Sequence, residues 1–177
     1  MPTNLELTSA DGTPLSAAYW PAPGARSGVV IVHGLESRKE NHADFAEVCR
    51  AAGLAALTID LRGHGTSGGQ LDVGAIDDVI AGIGALRVHG IERIGLRGSS
   101  MGGLLALVAA PRAAGVGCVV AICPARPAAL ADRIGDRWPR SFRLEDAVRD
   151  GTGIARGFWH ATGDMQVPWA STAALAG

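Results

Sequence analysis

A serine between two glycines, in Gly98-Ser99-Ser100-Met101-Gly102, is the most informative feature of this 177-residue chain. The apolar residues 91–96 precede it and the apolar residues 104–110 follow it, which predicts a strand, a sharp turn and a helix. A G-x-S-x-G at such a turn is typical of a nucleophile elbow, where the serine hydroxyl stands clear of the sheet. Gly98 and Gly102 carry no side chain that would crowd the bend. We therefore predict that Ser100 is a nucleophile; an incidental serine in a glycine-rich turn is the alternative.

The elements that must position this serine follow from the pattern of apolar residues. Two short apolar runs around an Asp-Gly pair (residues 5–7 and 15–20) predict an N-terminal hairpin. Further strands are predicted at residues 28–32, 54–59, 116–122 and 157–160. Helices are predicted at residues 41–52 and 73–86. The first helix has Phe45, Val48, Cys49 and Ala52 on one face. The alternation of strands and helices predicts an α/β fold, with a mainly parallel, doubly wound sheet and helices on both faces.

The composition narrows the class of protein. The length suits a single domain over residues 1–177, and 47% of the residues are hydrophobic. A net charge of −1 with scattered arginines argues against nucleic acid as the main partner. The first six residues lack a signal-peptide pattern, and no apolar run approaches the roughly 18 residues of a membrane span. We expect no membrane association and a cytoplasmic location.

The three cysteines, Cys49, Cys118 and Cys123, are an odd number without metal-like spacing. Cys118 and Cys123 lie in an apolar stretch, which predicts small buried side chains and fits a reducing compartment. Residues 63–68 match G-x-G-x-x-G, but the acids about 20 residues on, Asp77 and Asp78, fall inside a helical pattern. We therefore predict neither a metal site nor a nucleotide or other cofactor.

Polar residues follow several of the predicted strands, and such groups collect at the carboxyl edge of a parallel sheet. Four motifs follow one another along the chain: Val32-His33-Gly34-Leu35, Asp60-Leu61-Arg62-Gly63-His64-Gly65, the serine turn, and His160-Ala161-Thr162-Gly163-Asp164-Met165-Gln166-Val167-Pro168. In this order they resemble the α/β-hydrolase family over residues 5–177.

The resemblance implies a role for each site residue. Ser100 would attack a carboxylic ester or related acyl bond of a small-molecule substrate, and Asp164 would be the acid that orients a histidine base. The backbone N–H groups of Leu35 and Met101 would form the oxyanion hole. A loop or helix-capping carboxylate is the alternative role for Asp164.

The histidine base is the unmatched part of the pattern, because residues 165–177 contain no histidine. The resemblance then implies a shortened C-terminal part and weak or incomplete activity for this chain. His64 and His33 follow strands and are the first candidates to replace the base, whereas His42 and His89 are expected to be solvated and His160 to pack locally. A non-catalytic binding module or pseudoenzyme is the alternative. A further alternative is a partner chain, such as a second copy in a homo-oligomer, that covers the C-terminal sheet edge.

Residues 124–156 occupy the position of a lid and have room for a helix or two only. This length predicts a shallow, exposed site that favours small acyl groups. Trp138, Trp159 and Trp169 could line the site, although ordinary core or edge packing is the favoured interpretation.

Overall fold

The computed structural model describes residues 1–142 in full and the backbone of residues 155–159. Within these residues seven strands form one sheet. The strands are β1 (Thr3–Thr8), β2 (Pro14–Trp20), β3 (Ser27–Val32), β4 (Ala55–Ile59), β5 (Arg93–Ser99), β6 (Val116–Ile122) and β7 (Ala155–Trp159). The helices are α1 (Ala43–Ala51), α2 (Ala75–Val88), α3 (Met101–Ala109) and α4 (Pro127–Ile134), with 3-10 turns at Lys39–His42, Ala110–Arg112 and Gly135–Arg137.

The strand order is β1-β2-β4-β3-β5-β6-β7. The hairpin partner β2 runs antiparallel to both β1 and β4, and all remaining pairs are parallel. The predicted N-terminal hairpin and mainly parallel sheet are therefore confirmed. The serine turn follows β5, which lies between β3 and β6.

Helices cover both faces of the sheet. Alternate residues of a strand point to opposite faces: Ala17 and Tyr19 belong to the large core that α2 and α3 complete, whereas Ala18 and Trp20 belong to a smaller cluster. That smaller cluster includes Cys49 of α1. The sheet is thus doubly wound, with α1 on one face and α2 and α3 on the other.

The prediction of the buried face of α1 was wrong in part. Of the predicted face only Cys49 is buried: Phe45 and Val48 are 39% and 62% exposed, and Ala52 is exposed as well. Ala46, which was not predicted, is the other buried residue of α1. Cys118 on β6 is also exposed rather than buried. The cause is the position of α1, which packs on β2, β3 and β4 and leaves the α1 side of β5 and β6 uncovered within the described residues.

The lid-position segment is described only in part. Helix α4 and the turn Gly135–Arg137 occupy its first half, and the Val73 N–H donates to the Arg137 carbonyl, which ties the segment to the start of α2. Trp138 is 3% exposed and meets Phe142 edge-on, so it is a core residue. The predictions for His160, Asp164 and Trp169, for the side chain of Trp159 and for the rest of the segment to residue 154 lie outside the described residues.

Candidate active site

Ser100 lies alone between β5, which ends at Ser99, and α3, which begins at Met101. Its backbone has φ 51° and ψ −117°. Residues other than glycine rarely adopt these backbone angles. The conformation costs about 1–3 kcal/mol of strain, which persists only when the surrounding structure enforces it. The strand, turn and helix that the sequence predicts are present, and the turn is strained at the serine.

The glycines of the turn are required by contact with backbone. A Cβ at Gly98 would overlap the carbonyl of Gly102, and a Cβ at Gly102 would overlap the carbonyls of Val32 and His33. Such a clash cannot be relieved by a side-chain rotation, because the neighbouring atoms belong to the main chain. The glycines therefore let β3, β5 and α3 approach one another closely around Ser100.

Three backbone hydrogen bonds fix Ser100. Its N–H donates to the Ile122 carbonyl at 2.9 Å, and its carbonyl accepts from the N–H groups of Leu104 at 3.2 Å and Ala125 at 2.9 Å. Met101 is fully buried and is the first residue of α3, so its N–H has no intrahelical acceptor and lies at the positive end of the helix dipole. The serine is thus held beside a backbone donor at a helix N-terminus.

The loop after β3 lies against the serine. A Cβ on Gly34 would lie 3.4 Å from Ser100 Cβ, so Gly34 and the following Leu35 pass directly beside the turn. Leu35 is half-buried and packs on the main core. The structure therefore brings the predicted residues Ser100, Met101 and Leu35 to one corner of the sheet edge.

His33 is structural, which removes one of the two candidate replacement bases. Leu61 N–H donates to His33 Nε2 at 3.0 Å, so the ring proton is on Nδ1, which donates to the Gly34 carbonyl at 2.7 Å. Burial lowers the pKa of His33 to about 4. With both nitrogens occupied, this ring has no lone pair for the serine proton.

His64 is half-buried and lies close to His33, with the two ring centroids 4.9 Å apart. Its Nδ1 is 3.0 Å from the Arg62 carbonyl, so Nδ1 carries the proton and Nε2 keeps a lone pair. The ring lines a cavity of about 430 Å³ together with Leu35. Within the described residues no histidine nitrogen is hydrogen-bonded to Ser100 Oγ.

The other two described histidines, His42 and His89, differ in their exposure. His89 is exposed as expected and stacks on Tyr19 with ring centroids 4.1 Å apart. His42, by contrast, is half-buried rather than solvated, because Nδ1 meets a guanidinium nitrogen of Arg97 at 3.1 Å. Neither contacts the serine turn in the part of the chain that the structure describes.

A buried ion pair fixes the loop after β4. Asp60 accepts hydrogen bonds from Lys39 Nζ at 2.6 Å, Lys39 N–H at 2.7 Å and Thr66 N–H at 3.0 Å. Burial alone would raise the pKa of Asp60, but these donors hold it below its usual value. The sequence analysis did not predict that Lys39 is the partner of Asp60. Lys39 is the single lysine of the chain and precedes a helix, and this is the sequence feature that could have indicated a buried ion pair.

Arg62 ties the same loop to the rest of the domain. Its guanidinium is 3% exposed and pairs with Asp78 at 2.8 Å, Asp11 at 2.7 Å and Asp72 at 3.0 Å. Burial would lower the pKa of Arg62, but the bonds to Asp78 and Asp11 raise it above its ordinary value. The network joins the N-terminal hairpin to α2. Asp11, Asp78 and Asp72 are 51, 16 and 10 residues from Arg62, so no local pattern could reveal them.

Two absences hold for the described residues. They contain no group of three or more His, Cys, Asp or Glu side chains placed to hold a metal ion. No helix among them is long and apolar enough to cross a membrane.

Comparison with known proteins identifies the fold and then the family. The mostly parallel sheet with helices on both faces is the fold of the α/β hydrolases. Residues 23–142, more than half of the chain, match the model of the serine aminopeptidase, S33 family. The chain belongs to this family of hydrolases.

Several solved structures are similar to this chain. The chain is 29% identical to the Pyrococcus furiosus esterase Pf2001, with a TM-score of 0.66 over 73% of this chain and 54% of that one. It is 27% identical to the bottromycin epimerase BotH, solved with bottromycin A2, with a TM-score of 0.58 over 73% and 54%. Est1E of Butyrivibrio proteoclasticus, solved with ferulic acid, shares the fold at 21% identity, with a TM-score of 0.76 over 96% and 83%. The chain spans about half the length of the first two.

Proposed function

We propose that this chain carries the nucleophile and oxyanion hole of a serine hydrolase that cleaves a carboxylic ester or a related acyl bond. Ser100 is the nucleophile, and the backbone N–H groups of Met101 and Leu35 are the oxyanion donors. Asp164 is the proposed acid, as the sequence motif predicts. A small-molecule acyl compound is the proposed substrate and no cofactor takes part.

The observation that carries this proposal is the backbone of Ser100, with φ 51° between two glycines that admit no Cβ. A protein that used this turn only as a connection would gain stability from glycine at position 100. The strain is kept at the one residue whose hydroxyl the turn exposes, and strained residues concentrate at functional sites.

The proposed chemistry follows from the groups around the turn. Ser100 Oγ attacks the acyl carbon while a histidine base takes its proton, and the carbonyl oxygen becomes an oxyanion. The donors on Met101 and Leu35 stabilise that charge, and one such donor is worth about 3–4 kcal/mol in the transition state. Collapse of the intermediate breaks the bond to the leaving alcohol, which takes the proton from the histidine. Water, losing a proton to the same histidine, then attacks the acyl-enzyme and releases the acid, and Ser100 Oγ regains its proton.

The cavity of about 430 Å³ beside Leu35 suits a small acyl or alcohol group. Its wall includes Arg133 and Arg137 from the lid-position segment. His64 lines the same cavity. These features support a small substrate bound beside Leu35, one of the two proposed oxyanion donors. A cytoplasmic location stays a prediction from the cysteine content.

The test is labelling of the purified chain with a fluorophosphonate probe. Ser99→Ala is the matched control, because Ser99 is the adjacent serine and the last residue of β5. We expect labelling of the wild type and of Ser99→Ala, and none of Ser100→Ala. Circular dichroism of the three proteins checks that all are folded.

The second candidate is a non-hydrolytic binding module on the same fold. One observation favours it: within the described residues Ser100 Oγ has no histidine partner. The name of BotH, an epimerase 27% identical to this chain, shows only that a similar fold also serves a protein that is not named a hydrolase. A folded wild type that the probe does not label would contradict the hydrolase proposal and favour this candidate.

A further inference from the structure

Three strained residues mark the corner of the sheet edge that holds Ser100. Among the described residues, the residues other than glycine with a positive φ are Glu36 at 62°, Ser100 at 51° and Cys123 at 46°. They follow β3, β5 and β6, which are neighbours in the sheet. Strained residues cluster at active sites and at segments that clamp a ligand. The loop that carries Glu36 is therefore expected to take part in binding beside the serine.

The cavity of about 430 Å³ beside Leu35 lies at this corner. Its walls come from the loops after β3 and β4, from α4 and from the 3-10 turn that follows α4. Leu71 and Ile134 give it apolar side chains in addition to Leu35. Because Gly34 lies against Ser100 and Leu35 lines the cavity, a substrate with its ester at the serine can extend past Leu35 into the cavity.

The cavity wall has an excess of positive charge. Its lining residues include two arginines, Arg133 and Arg137, against one carboxylate, that of Glu36. Arg137 Nη1 donates to the neutral amide oxygen of Gln70 at 3.0 Å, and none of the ion pairs within residues 1–142 involves Arg137. A guanidinium has five N–H donors in a planar fork that matches a carboxylate. Arg137 therefore keeps donors for a ligand carboxylate in the cavity.

Arg133 supplies a second cation whose present partner can be exchanged. It lies four residues before Arg137, and its guanidinium pairs with Glu36 at 2.7 Å. The two side chains of this pair are 58% and 75% exposed. Ion pairs so exposed contribute little to stability, because water and salt screen them. A ligand carboxylate can therefore replace Glu36 on Arg133 with little loss of stability.

We propose that the substrate is a monoester of a dicarboxylic acid, whose free carboxylate binds Arg137 and Arg133 in the cavity while its ester lies at Ser100. The methylene chain between the two groups packs on Leu35 and Leu71. Hydrolysis then releases an alcohol and a dicarboxylate. This substrate class rests on the proposed function for the position of the ester, whereas binding of the carboxylate itself requires no hydrolysis.

Isothermal titration calorimetry of the whole chain carrying Ser100→Ala tests the proposal. This substitution removes the proposed nucleophile, so binding is measured without turnover. The ligands are the monomethyl esters of succinate, glutarate and adipate, which cover three chain lengths, and the corresponding dimethyl esters are the neutral controls. We expect at least one monomethyl ester to bind about tenfold or more tightly than its dimethyl ester, because hydrogen bonds between charged groups are stronger than neutral ones.

Further substitutions in the same background assign this preference to residues. Arg137→Gln is expected to remove most of it, because glutamine can form hydrogen bonds but carries no charge. Glu36→Gln is expected to tighten binding about two- to fivefold, because it frees Arg133 from a competing carboxylate. Arg140→Gln is the matched control and should keep the preference: Arg140 is an exposed arginine that pairs with Asp132 and does not line the cavity. Circular dichroism checks that every variant is folded.

Equal binding of monomethyl and dimethyl esters, or no binding of any monomethyl ester, overturns the proposal. So does a preference that Arg137→Gln keeps or that Arg140→Gln also removes, and so does weaker binding by Glu36→Gln. Fluorophosphonate labelling of the wild type separates these results from the hydrolase chemistry. A chain that is labelled at Ser100 but has no preference for monomethyl esters refutes the carboxylate site alone. A preference in an unlabelled chain supports the carboxylate site and contradicts the proposed hydrolysis.

Discussion

Two loops at the same edge of the sheet hold their residues in opposite ways. The turn at residues 98–102 keeps Ser100 in a strained backbone conformation and fits only because its glycines lack side chains. The loop at residues 60–66 is instead a network of satisfied charges, with Asp60 on Lys39 and Arg62 on Asp78 and Asp11. The serine turn raises the free energy of the folded state at one residue, whereas the charged loop lowers that free energy through many contacts.

The comparison explains why one loop can be strained. A strained residue persists only when its neighbours cannot move to relieve it. His33 joins the two regions, since it accepts a hydrogen bond from Leu61 in the satisfied loop and donates to Gly34, which lies against Ser100. We infer that the charge network holds the frame in which the serine turn stays strained.

The largest expected effect comes from breaking the satisfied loop. Arg62→Met leaves Asp78, which is fully buried, without a cation and should lower the free energy of unfolding by about 3–5 kcal/mol. Arg50→Met is the matched control, because Arg50 pairs with Glu47 at the surface, where the loss is about 0.5 kcal/mol or less. Urea unfolding measures both. A loss near 0.5 kcal/mol in Arg62→Met would show that the network does not hold the frame.

The second-largest expected effect is a pH dependence of stability caused by His33, the residue that joins the two regions. The pKa of His33 is lowered to about 4 in the fold by burial, against 6.5 ordinarily. Between these values the unfolded chain binds a proton that the folded chain does not, so stability falls as the pH drops from about 6.5 to 4, by up to about 3 kcal/mol. Urea unfolding at several pH values measures this slope.

His33→Asn is the control for that slope. Burial lowers the pKa of His42 as well, so some pH dependence remains in the variant. We expect the slope between pH 4 and 6.5 to be clearly smaller in His33→Asn than in the wild type. Equal slopes would mean that His33 does not stay neutral in the folded protein.

The smallest expected effect on stability is at Ser100, the strained residue itself. Ser100→Gly removes the Cβ that makes φ 51° unfavourable and should raise the free energy of unfolding by about 1 kcal/mol. Ser100→Ala keeps the Cβ and should leave stability nearly unchanged. Thermal unfolding of the two variants side by side separates the backbone effect from loss of the hydroxyl. Glycine that is no more stable than alanine would contradict the assignment of strain to this residue.

Local patterns in the sequence predicted the elements around the site well. The strand before Ser100, the helix after it and the two glycines follow from short runs of adjacent residues, and the structure has them at the expected positions. The helix stop at Gly53 is also local, because φ 80° there favours glycine. Catalytic roles for Ser100, Leu35, Met101 and Asp164 stay predictions.

The features that the sequence did not reveal depend on distant partners. An apolar stripe on α1 does not say which strands lie beneath it, so the exposure of Phe45 and Val48 could not be foreseen. The ion pairs of Arg62 depend on Asp11 and Asp78, and the lost solvation of His42 depends on Arg97, 55 residues away. These contacts exist only once the sheet has formed.

The three hydrogen bonds at Ser100 have a consequence for motion. Its N–H and carbonyl are bonded to the end of β6, to Ala125 in the loop after β6 and to the first turn of α3. The serine turn therefore cannot open by itself, since its release breaks hydrogen bonds to β6, to that loop and to α3 together. In hydrogen–deuterium exchange the Ser100 amide should exchange only with subglobal opening of β5, β6 and α3, as slowly as the amides of the core strands.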